Sequence, residues 1–134
     1  MLYWGTVTVP EQTPPRVDPA RTGEQVVATA TGDARLGEIT RRLVAAYRPE
    51  RIYLFGSRAR GDGGPDSDYD LLVVVSDSSP PERRRSRLAY QVLWGAGRAG
   101  DVVVVTRGYF EGRAHLQASL PGTVLREGRL LYAA

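Results

Sequence analysis

The part of the sequence that most constrains the fold is a pair of short apolar runs joined by a polar loop. The first run, residues 52–55, ends at Gly56-Ser57, and the second, residues 71–75, follows Asp68-Tyr69-Asp70. Short apolar runs bounded by turn-forming residues are typical of strands that are buried on both faces. The sequence therefore predicts two strands, with Gly-Ser at the end of one and two acids at the start of the other.

The segments on either side of these strands predict further elements. Apolar residues at three- and four-residue spacing from position 34 predict an amphipathic helix that Pro49 ends. Residues 82–94 have a helical pattern and predict one helix that Gly95, Gly97 and Gly100 close. Tyr90, Leu93 and Trp94 of this helix are predicted to be core residues.

The rest of the chain completes this pattern. Residues 101–105 predict a third buried strand beside the second, and residues 109–116 predict a helix. Residues 119–132 predict a last helix that is capped at Gly128 and followed by a short strand. The order of elements predicts an α+β fold in which a mixed central β-sheet is flanked by helices.

Residues 1–33 differ in composition from the rest of the chain. They are interrupted by prolines and contain one short alternating segment, so we interpret them as an extended arm, and we assign residues 34–134 to the domain. Such an arm can be a poorly ordered tail or a contact segment, and in the second case Tyr3 and Trp4 are the candidates for docking onto another chain, including self-association.

The composition excludes several kinds of site. Because the chain has no cysteine, disulfides and thiolate metal sites are excluded. Because it has one histidine, a metal would be held mainly by carboxylates, which favour Mg²⁺ or Mn²⁺. All 18 basic residues are arginine, so a phosphate would contact guanidinium groups or backbone amides. The net charge of +3 does not indicate duplex nucleic acid. Without a secretory signal or an apolar run of membrane-spanning length, we expect a cytoplasmic protein with no membrane contact.

The acids and the Gly-Ser turn predict complementary halves of one site. Asp68 and Asp70 project from the same face of a strand, about 7 Å apart, and two adjacent carboxylates are costly without a cation. Alone, this pair would fit a solvated loop or a strand cap better than a metal site. Gly56 lets backbone approach a ligand, and Ser57 can open a short helix whose amides and hydroxyl bind a polyphosphate. Arg58 and Arg60 are predicted as further donors. A nucleoside triphosphate with Mg²⁺ would bridge both halves.

Asp101 is a third candidate acid. It begins the strand predicted to lie beside the one that carries Asp68 and Asp70. A carboxylate there could complete a two-metal site or accept the proton of an attacking hydroxyl, although a single acid at the start of a strand is also common without any such role.

These motifs resemble a known signature. Gly56-Ser57, ten intervening residues and Asp68-Tyr69-Asp70, followed by an apolar strand and a later strand that starts with an acid, resemble the DNA polymerase β-type nucleotidyltransferase superfamily. The segment LFGSRARGDGGPDSDYDLLVV resembles the minimal nucleotidyltransferases, which are small single-domain bacterial proteins, and the C-terminal LREGRLLY does so too. The resemblance covers about residues 36–132.

The resemblance implies a reaction and a set of roles. A hydroxyl would attack the α-phosphate of ATP in line and release pyrophosphate, with two Mg²⁺ ions bound. Asp68, Asp70 and Asp101 would be the catalytic acids and metal ligands. The nucleotide would be bound by Gly56, Ser57, Arg58 and Ser67.

The resemblance also implies a partner. Minimal nucleotidyltransferases often act as antitoxins that add AMP to a tyrosine of a HEPN-type ribonuclease toxin. Two alternatives stay open, namely an antitoxin that neutralises its partner by binding alone, and transfer to a small molecule such as an aminoglycoside. A polymerase is not indicated, because the sequence shows no domain for gripping nucleic acid.

Overall fold

The structure, a computed structural model, describes residues 34–61, 68–96 and 99–134. The predicted arm, residues 1–33, and the predicted nucleotide ligand Ser67 lie outside the described residues. The division of the chain into an arm and a domain therefore stays a prediction.

The described residues form five α-helices, one 3-10 helix and four strands. The helices are α1 (Ala34–Tyr47), α2 (Ser57–Arg60), α3 (Ser86–Val92), α4 (Arg107–Arg113) and α5 (Leu120–Glu127), and a 3-10 helix (Pro81–Arg84) precedes α3. The strands are β1 (Arg51–Phe55), β2 (Tyr69–Val75), β3 (Ala99–Thr106) and β4 (Arg129–Ala133).

The four strands form one mixed sheet in the order β3-β2-β1-β4. Strand β1 is antiparallel to both β2 and β4, whereas β2 and β3 are parallel. This sheet and its flanking helices confirm the predicted α+β fold. The prediction that the third strand lies beside the strand with the two acids is also confirmed.

Each face of the sheet has its own apolar core, because the side chains of β2 alternate between faces. On one face, α1 and α3 cover the sheet, and the buried residues of this cluster include Leu36, Ile39 and Leu43 of α1 with Leu71 and Val73 of β2. Each such side chain contributes about 1.5–3 kcal/mol on burial.

The opposite face is covered by α4 and α5. Its buried residues include Tyr53, Leu72, Phe110 and Val124, and the rings of Tyr53 and Phe110 are stacked with their centroids 5.6 Å apart. Burial raises the pKa of the Tyr53 hydroxyl above its ordinary value of 10.0.

The boundaries of the first and last helices follow the sequence pattern. Helix α1 ends before Arg48, which adopts a left-handed conformation with φ 48°, and Pro49 follows. Helix α5 begins after Ser119, whose hydroxyl accepts the amide of Gly122 at 3.0 Å, and ends at Gly128 before β4. Both helices and the final strand are confirmed predictions.

The predicted third strand exists but is not buried on both faces. Within residues 101–105 only Val102 is fully buried, and the other positions are half-buried or exposed. The prediction of a fully buried strand is wrong because β3 is an edge strand of the described sheet, with β2 as its one neighbour.

The prediction of a single helix over residues 82–94 is also wrong. Arg85 is extended, with φ −117° and ψ 143°, and separates the 3-10 helix from α3. The Tyr47 hydroxyl donates to the Arg85 carbonyl and accepts the Ala89 amide at 2.9 Å. In a continuous helix the Ala89 amide would donate directly to the Arg85 carbonyl. Here the Tyr47 hydroxyl lies between these two groups and bonds to both.

Two of the three residues assigned to the core in this segment are on the surface. Leu93 is buried, as predicted, whereas Trp94 is 87% exposed and Tyr90 is 49% exposed. The assignment of Tyr90 and Trp94 to the core is therefore wrong. Ala89 and Leu93, four residues apart, lie on the side of the helix that faces the core, and the neighbouring positions 90 and 94 lie on a side that faces solvent.

None of the helices in the part of the chain that the structure describes is long and apolar enough to cross a membrane.

Candidate active site

Those predicted site residues that the structure describes lie at one end of the sheet, where the ends of three strands are adjacent. Strand β1 ends at Phe55, which is paired with Asp70, and β2 begins at Tyr69, which is paired with Ala99 near the start of β3. Because β1 is antiparallel to β2 and β2 is parallel to β3, the end of β1 and the starts of β2 and β3 are adjacent. The fold therefore brings the Gly-Ser turn, the two acids and the start of β3 together.

Asp68 and Asp70 both lie against Gly100 of β3. A Cβ atom placed on Gly100 would be 2.9 Å from the Cβ of Asp68 and 3.1 Å from Oδ1 of Asp70. Asp68 immediately precedes β2 and is exposed, whereas Asp70 lies within β2 and is half-buried. The two side chains therefore face the same space at the start of β2.

Gly56 lies against the other oxygen of Asp70. A Cβ atom on Gly56 would be 2.5 Å from Oδ2 of Asp70, a distance that real Cβ contacts essentially never show. Gly56 also has φ 79°, in a region that glycine adopts at little cost. Conformation and close approach to Asp70 both require glycine at this position.

Ser57 begins the single turn of helix α2. The Gly56 carbonyl accepts the amides of Ala59 and Arg60 at 3.1 Å each, and Gly61 ends the turn in a left-handed conformation with φ 84°. The first amides of a helix have no carbonyl partner within that helix. The turn after β1 therefore contains the start of a short helix, as predicted, and its role in binding a polyphosphate stays a prediction.

Arg58 is held against the strand that bears the acids. Its guanidinium lies over the ring of Tyr69, with its central carbon 4.5 Å from the ring centroid, and Tyr69 is 3% exposed. A guanidinium over an aromatic ring is attracted by the ring quadrupole. The contact holds one positive charge near the edge that contains Asp68 and Asp70.

Arg60 points to a different part of the molecule. It lies 3.9 Å from Glu127 at the end of α5, and both side chains are more than two-fifths exposed. An exposed pair of this kind contributes about 0–1 kcal/mol. The structure thus directs Arg58 and Arg60 to separate surroundings.

The structure places Asp101 beside Asp70 through its backbone. The Asp101 amide donates to Oδ1 of Asp70 at 3.3 Å, and the Asp101 side chain is exposed. Within residues 34–61, 68–96 and 99–134, no group of three or more His, Asp or Glu side chains is gathered so that it could hold a metal ion. Asp68 and Asp70 are therefore brought together as a pair, and the role of the Asp101 carboxylate as a third ligand stays a prediction.

The pair of acids suits a hard divalent cation. Carboxylate oxygens are the ligands that Mg²⁺ prefers. The absence of a side chain at Gly56 and Gly100 leaves room beside the Asp70 oxygens that a Cβ atom would fill. The residues present therefore fit Mg²⁺, which Asp68 and Asp70 would bind.

Gly100 is the site residue that sequence reasoning missed. In the sequence it was interpreted with Gly95 and Gly97 as part of the end of a helix, but it belongs to β3. A signal was available, because a glycine inside a strand often marks a bulge or a close approach of another group.

A shallow groove of about 730 Å³ lies on α3 and is separate from these residues. Its lining residues are Ser86, Arg87, Tyr90, Gln91 and Trp94. It contains none of the predicted catalytic or nucleotide-binding residues.

Comparison with solved structures finds several similar chains, and three of them are as follows. A candidate nucleotidyltransferase from Sulfolobus solfataricus is 21% identical, with 83% of this chain and 84% of that chain covered and a TM-score of 0.50. A toxin-antitoxin structure with AMP-PNP is 24% identical, with 72% and 73% covered and a TM-score of 0.47. A mutant of the toxin-antitoxin MntA-HpeT is 22% identical, with the same coverage and a TM-score of 0.46. The first likeness supports the fold, and the other two are too distant to support an argument.

Comparison with protein families gives a broader match. No significant match is found among curated proteins. Residues 35–130 match the nucleotidyltransferase domain. The matched range is most of the chain and contains the parts of β1, β2 and β3 that pair around Asp70. The chain therefore belongs to the nucleotidyltransferase domain family.

Proposed function

We propose that this nucleotidyltransferase transfers AMP from ATP to a tyrosine hydroxyl of a HEPN-type toxin in a Mg²⁺-dependent reaction, and so acts as an antitoxin. The observation that best supports the transfer chemistry is the Asp70 carboxylate, which lies beside Asp68 and next to the turn at Gly56. The choice of ATP and of a protein acceptor rests on the resemblance to minimal nucleotidyltransferases.

In this proposal the turn and the acids have separate tasks. The backbone at Gly56 and Ser57 holds the triphosphate, and the Asp68 and Asp70 carboxylates hold the cation. When bound, Mg²⁺ would neutralise charge on the reacting phosphates. Asp101, which is exposed and whose amide donates to Asp70, is the candidate base for the acceptor hydroxyl.

The proposed reaction is a single displacement at phosphorus. The acceptor oxygen forms a bond to the α-phosphorus while the bond from that phosphorus to the bridging oxygen of the β-phosphate breaks. The proton of the acceptor hydroxyl passes to the base, and pyrophosphate leaves.

The first experiment asks which molecule receives AMP. The purified protein is incubated with ATP labelled at the α-phosphate, Mg²⁺ and lysate of the source organism, and mass spectrometry identifies the labelled product. We expect a protein whose mass increases by one or more AMP units on tyrosine. An adenylated small molecule in a reaction without any added protein would contradict the protein acceptor.

Asp68→Asn and Asp70→Asn test the role of the acids. Each change removes one negative charge at nearly constant shape, and we expect transfer to fall about 100-fold or more, because a bound cation supplies several kcal/mol of transition-state stabilisation. Asp77→Asn is the matched control, since Asp77 accepts the Gly108 amide away from the site. Full transfer by Asp68→Asn or Asp70→Asn would rule out the proposed metal role.

Neutralisation by binding alone is the second candidate function. The exposed Tyr90 and Trp94 beside Arg87 form a surface of the composition common in protein interfaces. The test uses the protein that receives AMP, and compares how Asp70→Asn and Trp94→Ala neutralise its activity. If Asp70→Asn neutralises as well as the natural sequence and Trp94→Ala does not, binding is sufficient.

A further inference from the structure

The pairing of β2 with β3 contains an irregularity at Asp70. Tyr69 is paired with Ala99, but Leu71 is paired with Val102. One residue of β2, Asp70, therefore lies opposite two residues of β3, which are Gly100 and Asp101. An extra residue of this kind is a β-bulge, and bulges are frequent next to active sites, where they change the direction of a side chain.

The bulge changes the hydrogen bond that the Asp101 amide makes. In a regular parallel ladder, amides donate to backbone carbonyls of the neighbouring strand. Here the Asp101 amide donates to the Oδ1 carboxylate oxygen of Asp70 at 3.3 Å. The backbone of β3 thus contacts the side chain of a proposed metal ligand.

The other bulge residue, Gly100, is packed against both acids. A Cβ atom on Gly100 would lie 2.9 Å from the Cβ of Asp68, 3.1 Å from Oδ1 of Asp70 and 3.5 Å from Oδ2 of Asp68. The closest of these atoms is the first atom of a side chain and not its flexible end. A substituted residue at position 100 would therefore have to move the start of β3 or displace Asp68.

Contacts from both neighbouring strands restrict the Asp70 carboxylate. Its Oδ1 adjoins Gly100 and the Asp101 amide of β3, and its Oδ2 adjoins Gly56 at the end of β1. Since β1 and β3 lie on either side of β2, residues in or next to both neighbouring strands flank the carboxylate.

We infer that the β-bulge at Gly100 and Asp101 positions the Asp70 carboxylate for cation binding, so that Gly100 is a positioning residue of the site. The inference rests on the proposed function for the identity of the ligand. It concerns a residue that touches neither substrate nor cation and acts through Asp68 and Asp70.

The first test measures Mn²⁺ binding to the full chain without nucleotide, by electron paramagnetic resonance of free Mn²⁺, together with thermal unfolding. We expect Gly100→Ala to unfold cooperatively and to bind Mn²⁺ at least tenfold more weakly than the natural sequence. Gly112→Ala is the control, because a Cβ atom at that position would meet nothing within 4 Å. It should leave Mn²⁺ affinity unchanged.

The outcomes separate the inference from the proposed function. If the natural sequence binds Mn²⁺, Asp70→Asn loses this binding and Gly100→Ala binds as tightly as the natural sequence, the positioning role is wrong and the proposed function stands. If the natural sequence binds no Mn²⁺, the proposed metal role of Asp70 fails.

A second measurement tests the contact between the bulge and Asp70, and it does not depend on whether Gly100→Ala folds. In ¹H-¹⁵N spectra of the full chain, Asp70→Ala should shift the Asp101 amide and speed its hydrogen exchange, because its acceptor has been removed. The control within the same spectrum is the Gly108 amide, which donates to Asp77 at 2.9 Å and should not change. An Asp101 amide that is insensitive to Asp70→Ala would overturn the inference.

Discussion

At the scale of single residues, the Asp70 carboxylate has little freedom because backbone groups lie close to both of its oxygens. Gly56, which follows β1, and Gly100 of β3 allow this approach. These neighbours limit the directions in which the carboxylate can turn. Such preorganisation is what a site needs if it is to bind a cation without rearrangement.

Gly56→Ala should abolish nucleotidyl transfer and reduce stability. The new Cβ atom would lie 2.5 Å from Oδ2 of Asp70, so the carboxylate would have to move, and the φ of 79° is unfavourable for alanine. We expect a loss of about 1–3 kcal/mol in the free energy of unfolding. Urea unfolding and transfer of labelled AMP are the two measurements.

Gly95→Ala separates the two causes. Gly95 has a φ of 80°, but a Cβ atom there would meet nothing within 4 Å. It should lose stability through backbone strain alone and keep its activity. Equal loss of activity in Gly95→Ala and Gly56→Ala would show that the contact with Asp70 is not the cause.

Local sequence could predict the part of the site that lies at the end of β1 and the start of β2. Gly56, Ser57, Asp68 and Asp70 follow from turn chemistry, strand alternation and the length of the loop between them, and the structure brings them to one edge. The contribution of Gly100 could not be predicted in the same way, because it depends on the register between β2 and β3. Register is a property of two strands and is not visible in either of them alone.

At the scale of elements, the contact between α1 and α3 is organised by one hydroxyl group. Tyr47 at the end of α1 donates to the Arg85 carbonyl and accepts the Ala89 amide. On the same pair of helices, Arg42 of α1 donates to the carbonyl of Val92 at 3.1 Å. Both ends of α3 therefore depend on α1 for partners of their backbone groups.

Tyr47→Phe should destabilise the domain by about 1–3 kcal/mol, since it leaves a buried amide and a carbonyl without the hydroxyl that joins them. Urea unfolding of the full chain measures the change. Tyr90→Phe removes the same hydroxyl from a side chain that is 49% exposed, and should change stability by less than about 0.5 kcal/mol. Equal stabilities for Tyr47→Phe and the natural sequence would show that a direct bond from Ala89 to Arg85 replaces the lost contacts.

The break at Arg85 also shows which element boundaries the sequence can predict. The ends of α1 and α5 are marked by local signals, Pro49 and Gly128, and were predicted correctly. The break at Arg85 is accompanied by bonds to Tyr47, a residue 38 positions away. A helical pattern in residues 82–94 carries no information about such a distant partner.

At the scale of the whole molecule, the sheet separates two cores that are covered by different helices. The core under α4 and α5 is the smaller one, and its centre is Phe110, which is 1% exposed and stacked on Tyr53. The groove on α3 lies on the outer surface of the layer that covers the other core. Two large aromatic residues, Phe110 and Trp94, therefore have opposite environments, although both lie in segments with a helical sequence pattern.

Phe110→Ala and Trp94→Ala should differ sharply in their effect on stability. Removing the Phe110 ring leaves a cavity against Tyr53, and we expect a loss of about 3–5 kcal/mol in the free energy of unfolding. Trp94 is 87% exposed, so its truncation should change this free energy by less than about 0.5 kcal/mol. Urea unfolding of both variants of the full chain measures the difference. A loss for Trp94→Ala as large as that for Phe110→Ala would mean that Trp94 is covered within the full chain, because an exposed ring has too few contacts to contribute that much.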